Sequence, residues 1–254
     1  MNSLLKEFFV SEDSEMIEIK NVTKRFGIKV AVDHENVTVE SGMITGFIGP
    51  NGAGKTTTIN MITGVLDPDE GEILVNSHNI VKTPLKAKKE MVLVPDTPDI
   101  FLQLSGREYI NFMADIYEID EKQRKARIDE LVDQFGMASD IDSRMAGYSH
   151  GMRQKTLVIA ALVCDPPVWI LDEPMTGLDP EASFLLKQKM KEHAAKGNTV
   201  FFSTHVLEVA EKLCEQIIMI HAGRIIYQGT LDELKNMYPG LSLEEIFLEV
   251  NRDE

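Results

Sequence analysis

The residues Gly49-Pro50-Asn51-Gly52-Ala53-Gly54-Lys55-Thr56 satisfy the spacing G-x-x-x-x-G-K-[ST]. Glycines so placed let backbone N–H groups approach phosphate oxygens, Lys55 adds a point charge for β- and γ-phosphates, and Thr56 offers a hydroxyl to Mg²⁺. Much later, Asp172-Glu173 follow the apolar run Val168-Trp169-Ile170-Leu171. An acid in that position is expected to hold Mg²⁺ beside the phosphates, and the next one to polarise an attacking water. His205 follows another apolar stretch, Thr199 to Ser203, and Thr204. An isolated Asp-Glu pair is commonly a solvated strand end, and a lone histidine commonly packs or faces solvent. The phosphate loop upstream shifts both toward chemistry.

These groups act together only if the chain folds them together. Met43 to Ile48 is short, apolar and β-branched, a buried strand by pattern, and Thr56 to Ile62 reads as the helix after the loop, stopped by Gly64. That context aims free N–H groups and the positive helix end at an anion. Met91 to Pro95, Val168 to Leu171, Thr199 to Ser203, Ile217 to Ile220 and Arg224 to Tyr227 read as further strands. Helices are expected over Ser149 to Cys164, Glu181 to Lys196 and Glu208 to Glu215. Strand–helix alternation predicts an α/β fold with a parallel sheet. Ligands of such sheets bind beyond the carboxyl ends of the strands, so the loop, the acid pair and His205 should meet at one phosphate.

Beside that core, Met16 to Val22, Val37 to Val39 and Glu72 to Val75 predict a small antiparallel sheet. Between Met91–Pro95 and Val168 lies a helical block. Ser105 and Glu108 form a capping box, and Tyr109, Phe112, Met113 and Ile116 share one helix face. Ile128, Leu131, Val132 and Phe135 line a second helix, ended by Gly136. Core packing accounts for both stripes. Asp232 to Tyr238 and Ser242 to Val250 predict a short helical tail.

The chain has 254 residues, 43% apolar and 26% charged, and a formal net charge of -15. Such acidity disfavours nucleic acid, which is bound by Lys and Arg, and anionic lipid for the same reason. Cys164 and Cys214 lack metal-ligand or redox spacing and read as free core thiols. No apolar run reaches the 18 or more residues of a membrane span. Residues 1–15 lack the basic and long apolar regions of a signal peptide, leaving a docking helix or a frayed tail.

Taken in order, the motifs resemble those of the ATP-binding subunit of ABC transporters, over residues 16–228. Gly49 to Thr57 resembles the Walker A loop and Val168 to Glu173 Walker B with its glutamate. Gly177-Leu178-Asp179-Pro180 resembles the D-loop, His205 the switch histidine at the γ-phosphate, and Phe26 the aromatic that stacks on adenine. Tyr148-Ser149-His150-Gly151-Met152 resembles a degenerate ABC signature, with His150 where glycine is usual and Met152 where glutamine is usual. The resemblance implies a P-loop NTPase with a RecA-like parallel core, an antiparallel β subdomain, a helical subdomain over about 97–165 and a tail over 229–254. It implies ATP and Mg²⁺ as cofactors, with Thr56 and Asp172 as metal ligands and Lys55, Glu173 and His205 as catalytic residues.

It further implies a second cassette, whose bound γ-phosphate would be gripped by Ser149, His150 and Gly151 at the start of their helix, and separate membrane permease chains, through which this cytoplasmic chain would sit peripherally on the inner face of the cell membrane. The Gly151-Met152-Arg153-Gln154 run, Asp96 and the short tail resemble bacterial ABC-2-type export cassettes. Asp96 stands where the family places glutamine. Two unit charges about 4 Å apart cost about 4 kcal/mol at an effective dielectric near 20, so Asp96 must act through metal or water, or serve as a turn residue. Thr97 to Phe101 resembles the region meeting the membrane subunit, whereas Leu104-Ser105-Gly106 echoes the signature only superficially. His34, His78, His193 and His221 are expected only to pack or face solvent. The other reading weighed, a soluble ABC ATPase, is opposed by the single cassette, by the lack of room for a long coiled coil between Thr57 and Ser149, and by the charge. A GTPase or small-molecule kinase using the same loop is opposed by the lack of a guanine-reading N-K-x-D motif and by the signature-like and D-loop-like runs, which those classes lack.

Overall fold

The structure is a computed structural model that describes residues 15–99 and 101–250. Three short strands, β3 (Ile44–Ile48), β7 (Val168–Asp172) and β8 (Thr199–Thr204), are buried at every residue. Continuous apolar strands of this kind require cover on both faces, which parallel sheets receive from their crossover helices. Together with β6 (Met91–Val94), β9 (Gln216–His221) and β10 (Arg224–Thr230) they form one sheet in the order β10-β9-β3-β8-β7-β6. All pairs in it are parallel except the β9–β10 hairpin.

The register decides the site. Ile48 of β3 lies opposite Thr204 of β8, and Asp172 of β7 opposite Ser203 of β8. The three strand ends therefore stand side by side at the roughly 4.8 Å strand spacing. β6 is the outer neighbour of β7, which brings the turn holding Asp96 to the same edge.

A second, antiparallel sheet has the order β2-β1-β4-β5, from β1 (Glu15–Phe26), β2 (Lys29–Glu40), β4 (Glu70–Val75) and β5 (His78–Asn79). It packs over the helix α1 (Lys55–Ile62) through Ile17, Ile19, Val22, Ile59, Ile62 and Phe47. The short helix α2 (Pro84–Lys89) precedes β6 and went unread in the sequence, as did β5. The helical block comprises α3 (Gly106–Ile116), α4 (Glu121–Gln134) and α5 (His150–Cys164), joined through Ile110, Ala114, Ile128, Val132, Phe135 and Leu157. The capping box at Ser105 and Glu108 is formed, so the signature-like Leu104-Ser105-Gly106 serves a helix start. Helices α6 (Pro180–Ala195) and α7 (Leu207–Leu213) cover the sheet, and α8 (Leu231–Met237) and α9 (Leu243–Val250) form the tail.

One packing expectation fails. On α3, Tyr109 is buried, but Phe112 and Ile116 are 41% and 51% exposed. The stripe is wider than the core it meets, and its outer edge lines a groove described below. Buried His193 does pack: its ring stacks on Trp169 at 3.8 Å between centroids and meets Asp165 at 3.1 Å. Both cysteines are free and buried. The expected extension over 1–15 lies outside the described residues except for Glu15, which opens β1. No described helix is long and apolar enough to cross a membrane.

Candidate nucleotide-binding site

The loop between β3 and α1 ends at Gly54, which caps the helix at φ 122°, a conformation that an L side chain rarely adopts. It leaves the first N–H groups of α1 free for an anion. Lys55 is 7% exposed, and its Nζ donates to the carbonyls of Gly49 at 2.7 Å and Pro50 at 3.2 Å. Burial holds the ammonium below its usual range, against the opposing pull of the Glu173 and Asp172 carboxylates. The two carbonyls are neutral, so an anion bound here would be a stronger partner for the ammonium.

Asp172, 3% exposed, is the hub of the polar network. Thr56 Oγ1 donates to its Oδ2 at 3.0 Å, and Ser203 Oγ donates to its Oδ1. The Glu173 backbone N–H in turn donates to Ser203 Oγ at 3.0 Å. Glu173 sits at φ 48°, a left-handed position that costs a non-glycine residue about 1–3 kcal/mol. This bend lets Glu173 leave the strand direction of Asp172, and its Oε2 lies 2.9 Å from Nδ1 of the exposed His205. Ser203 was missed in the sequence, although it stands two residues before His205 on a strand whose end was already suspect.

Phe26, Asn51, Lys55, Thr56, Asp96, Asp172 and Glu173 line one cleft of about 320 Å³. Gly52, Gly54 and Thr57 complete the loop side of it. Phe26 is 52% exposed at the rim, with Lys24 Nζ over its ring at 5.9 Å from the centroid. Asp96 is exposed at the edge of this cleft.

Thr56 and Asp172 present a hydroxyl and a carboxylate oxygen within hydrogen-bond reach of one another. Hard oxygen donors of this kind fit Mg²⁺, which is usually bound by one or two protein groups together with substrate phosphates and water. The described residues contain no cluster of three or more His, Cys, Asp or Glu that could cage a metal.

The signature-like residues lie elsewhere. Ser149 caps α5 by accepting from Met152 N–H, and His150 packs against Gly177. A Cβ on Gly151 would stand 2.4 Å from the Gly177 carbonyl oxygen, so the glycine is needed within the chain itself. Asp179 caps α6 through Ala182 N–H and pairs with Lys155 of α5 at 2.6 Å. The Ala182 N–H, then Lys155, hold its carboxyl below the usual range. Ser149, His150, Gly151 and Asp179 do not line the cleft that holds Lys55. Arg153 of α5 binds Asp99 and the Met145 and Ala146 carbonyls, tying the segment after Asp96 to the signature helix.

An ABC transporter family profile matches residues 32–176. The chain is 34% identical to the ABC transporter ATP-binding protein NatA of Bacillus subtilis, over 92% of this chain and 97% of that protein. It is 33% identical to Nod factor export ATP-binding protein I of Cupriavidus metallidurans, over 91% of this chain and 77% of that protein. Among solved structures, an ATP-binding subunit of an ABC transporter superposes with a TM-score of 0.89 at 32% identity, covering 93% of this chain and 99% of that one.

Proposed function

The chain belongs to the ABC transporter family as an ATP-binding, ATP-hydrolysing subunit, and we propose that it powers export through separate permease chains by ATP-driven pairing of two cassettes. One observation carries the reading. A single chain gathers Lys55, Thr56, Asp172 and Glu173 in one cleft, yet its Ser149, His150 and Gly151 line none of it. The free N–H groups and dipole of α5 then serve the γ-phosphate held by a second cassette, either an identical copy or a related subunit.

In this reading Phe26 stacks on the adenine, and Gly49 to Thr57 wrap the phosphates. Thr56 and Asp172 would hold Mg²⁺, which would supply charge neutralisation to the phosphates. Glu173 accepts the proton of the attacking water, and His205 braces Glu173 and reaches the γ-phosphate. Asp179 sets the spacing between the α5 and α6 ends. Asp96 senses the metal or its water. Replacing Asp96 with Asn is expected to lower ATPase activity by roughly 10- to 100-fold, as loss of a group around a metal does; unchanged ATPase and transport would refute the sensor role.

The permease is proposed to dock in the groove of about 620 Å³ lined by Val65, Leu85, Phe101, Tyr109, Met113 and Ile116. Leu85 is 79% exposed and Phe101 52%, an apolar lining that a helix of a membrane subunit would cover. In this reading the subunit sits at the inner face of the membrane, held there by the permease. The relatives named for export favour that direction. Co-purification in detergent tests the partner: a hydrophobic membrane protein should accompany the wild type. Ile116→Glu should lose that companion while keeping basal ATPase activity. Recovery with ribosomes instead would favour the soluble, non-transport role.

A further inference from the structure

Glu35 of β2 stands opposite Val22 of β1 and is 1% exposed. The inward residues around it on the same strand are Val32, Val37 and Val39, so a carboxyl interrupts an apolar stripe. From α1, Thr58 Oγ1 faces it, 3.2 and 3.0 Å from its two carboxyl oxygens. The same hydroxyl lies 3.2 Å from the carbonyl of Gly54, the last residue before the phosphate-loop helix. A threonine hydroxyl carries one proton and cannot donate to both.

The following charged groups next to it on β1, β2 and α1 are engaged elsewhere. Lys55 of α1 is turned to the Gly49 and Pro50 carbonyls, and Asp33 of β2 is paired with Arg224 of β10. Lys24 and Arg25 of β1 are paired with Asp69 and with Glu70 of β4. Burial pushes the Glu35 carboxyl up to about 8, with the Thr58 hydrogen bond pulling weakly the other way. Below that pH the carboxyl is a donor: its O–H binds Thr58 Oγ1, freeing the threonine proton for Gly54. Above it, the proton passes to solvent, Thr58 donates to the carboxylate, and an uncompensated negative charge remains beneath the loop.

We propose that Glu35 is a positioning residue of the phosphate loop, whose proton decides whether the Thr58 hydroxyl braces the Gly54 carbonyl or turns away from it. The inference rests on the reading that this loop binds nucleotide phosphates. Both consequences of ionisation act in the same direction. The loop loses a donor, and anionic phosphates meet a like charge. Nucleotide should therefore bind more tightly to the protonated form, and by linkage its binding should take up protons near pH 8.

The test is ADP affinity, measured by calorimetry from about pH 7 to about pH 9.5 on the wild type, Glu35→Gln and Thr58→Val. Wild-type affinity should fall about fivefold as pH rises through this range, the worth of roughly one hydrogen bond. Glu35→Gln, a permanent neutral donor, should keep the low-pH affinity throughout. Thr58→Val retains the acid but cuts the brace and should flatten most of the dependence, which keeps the test open if the Gln variant folds poorly. The three proteins share their other ionisable groups, so only the difference between curves counts. Repeating the titration at pH 8 in buffers of different ionisation enthalpy should show proton uptake by the wild type and less by Glu35→Gln. Parallel curves and equal uptake would overturn the brace while leaving nucleotide binding intact. Absence of ADP binding at every pH would instead overturn the function proposed above and the brace with it.

Discussion

Glu173→Gln should lower ATP turnover by about 10²- to 10⁴-fold while preserving ATP binding. The amide is isosteric with the acid and can still accept from His205 Nδ1, now 2.9 Å from Glu173 Oε2, so the local geometry has a partner in both proteins. It cannot take a proton from water. The variant also removes one of two adjacent carboxylates, Asp172 being the other, from the cleft proposed to hold the phosphates, which lowers charge repulsion at the moment of binding. With hydrolysis blocked and ATP retained, the two cassettes should stay paired. Light scattering with ATP should therefore report a dimer of the variant and a monomer without nucleotide. A variant that binds ATP and remains a monomer would count heavily against a site shared between two chains, and undiminished turnover would remove Glu173 from the chemistry.

Lys55→Met should weaken ATP binding by roughly 10- to 100-fold, the worth of a charged hydrogen bond in a buried setting, and lower hydrolysis further. The structure separates this loss from misfolding. In the folded protein the Lys55 ammonium is buried against the Gly49 and Pro50 carbonyls, and burial disfavours its charge. Methionine keeps the length of the side chain and removes that charge. The variant should accordingly unfold at the same temperature as the wild type or a higher one, measured without nucleotide. Arginine is not a substitute, because its planar fork does not fit a space filled by a compact ammonium. Wild-type nucleotide affinity in Lys55→Met would mean that the loop does not hold the phosphates.

How far the sequence could be read differs from residue to residue. The phosphate loop was legible because its pieces are contiguous: Gly54, Lys55 and the start of α1 act within a single turn of chain. Val168 to Asp172 was legible because an unbroken apolar run has few homes other than a covered parallel strand. Phe112 and Ile116 were misjudged because helical spacing reveals which residues share a face, not whether another element covers all of it. Glu35 had a signal that went unused: the alternation of Val37 and Val39 carried back along β2 turns residue 35 inward. Its partner Thr58 had none, since nothing in the spacing of β2 and α1 relates the two.

By itself, the order of residues determined the motifs, the elements that carry them and the kind of chemistry proposed for their side chains, because each depends on neighbours within one strand or one turn. Only the tertiary structure decided the strand order β3-β8-β7-β6, the bend at Glu173 that meets His205, the burial of Glu35 and the separation of Ser149 to Gly151 from the cleft. Those follow from pairings between segments far apart in the chain, where the free energy of closing long loops and burying whole faces selects one arrangement among many that local patterns allow equally.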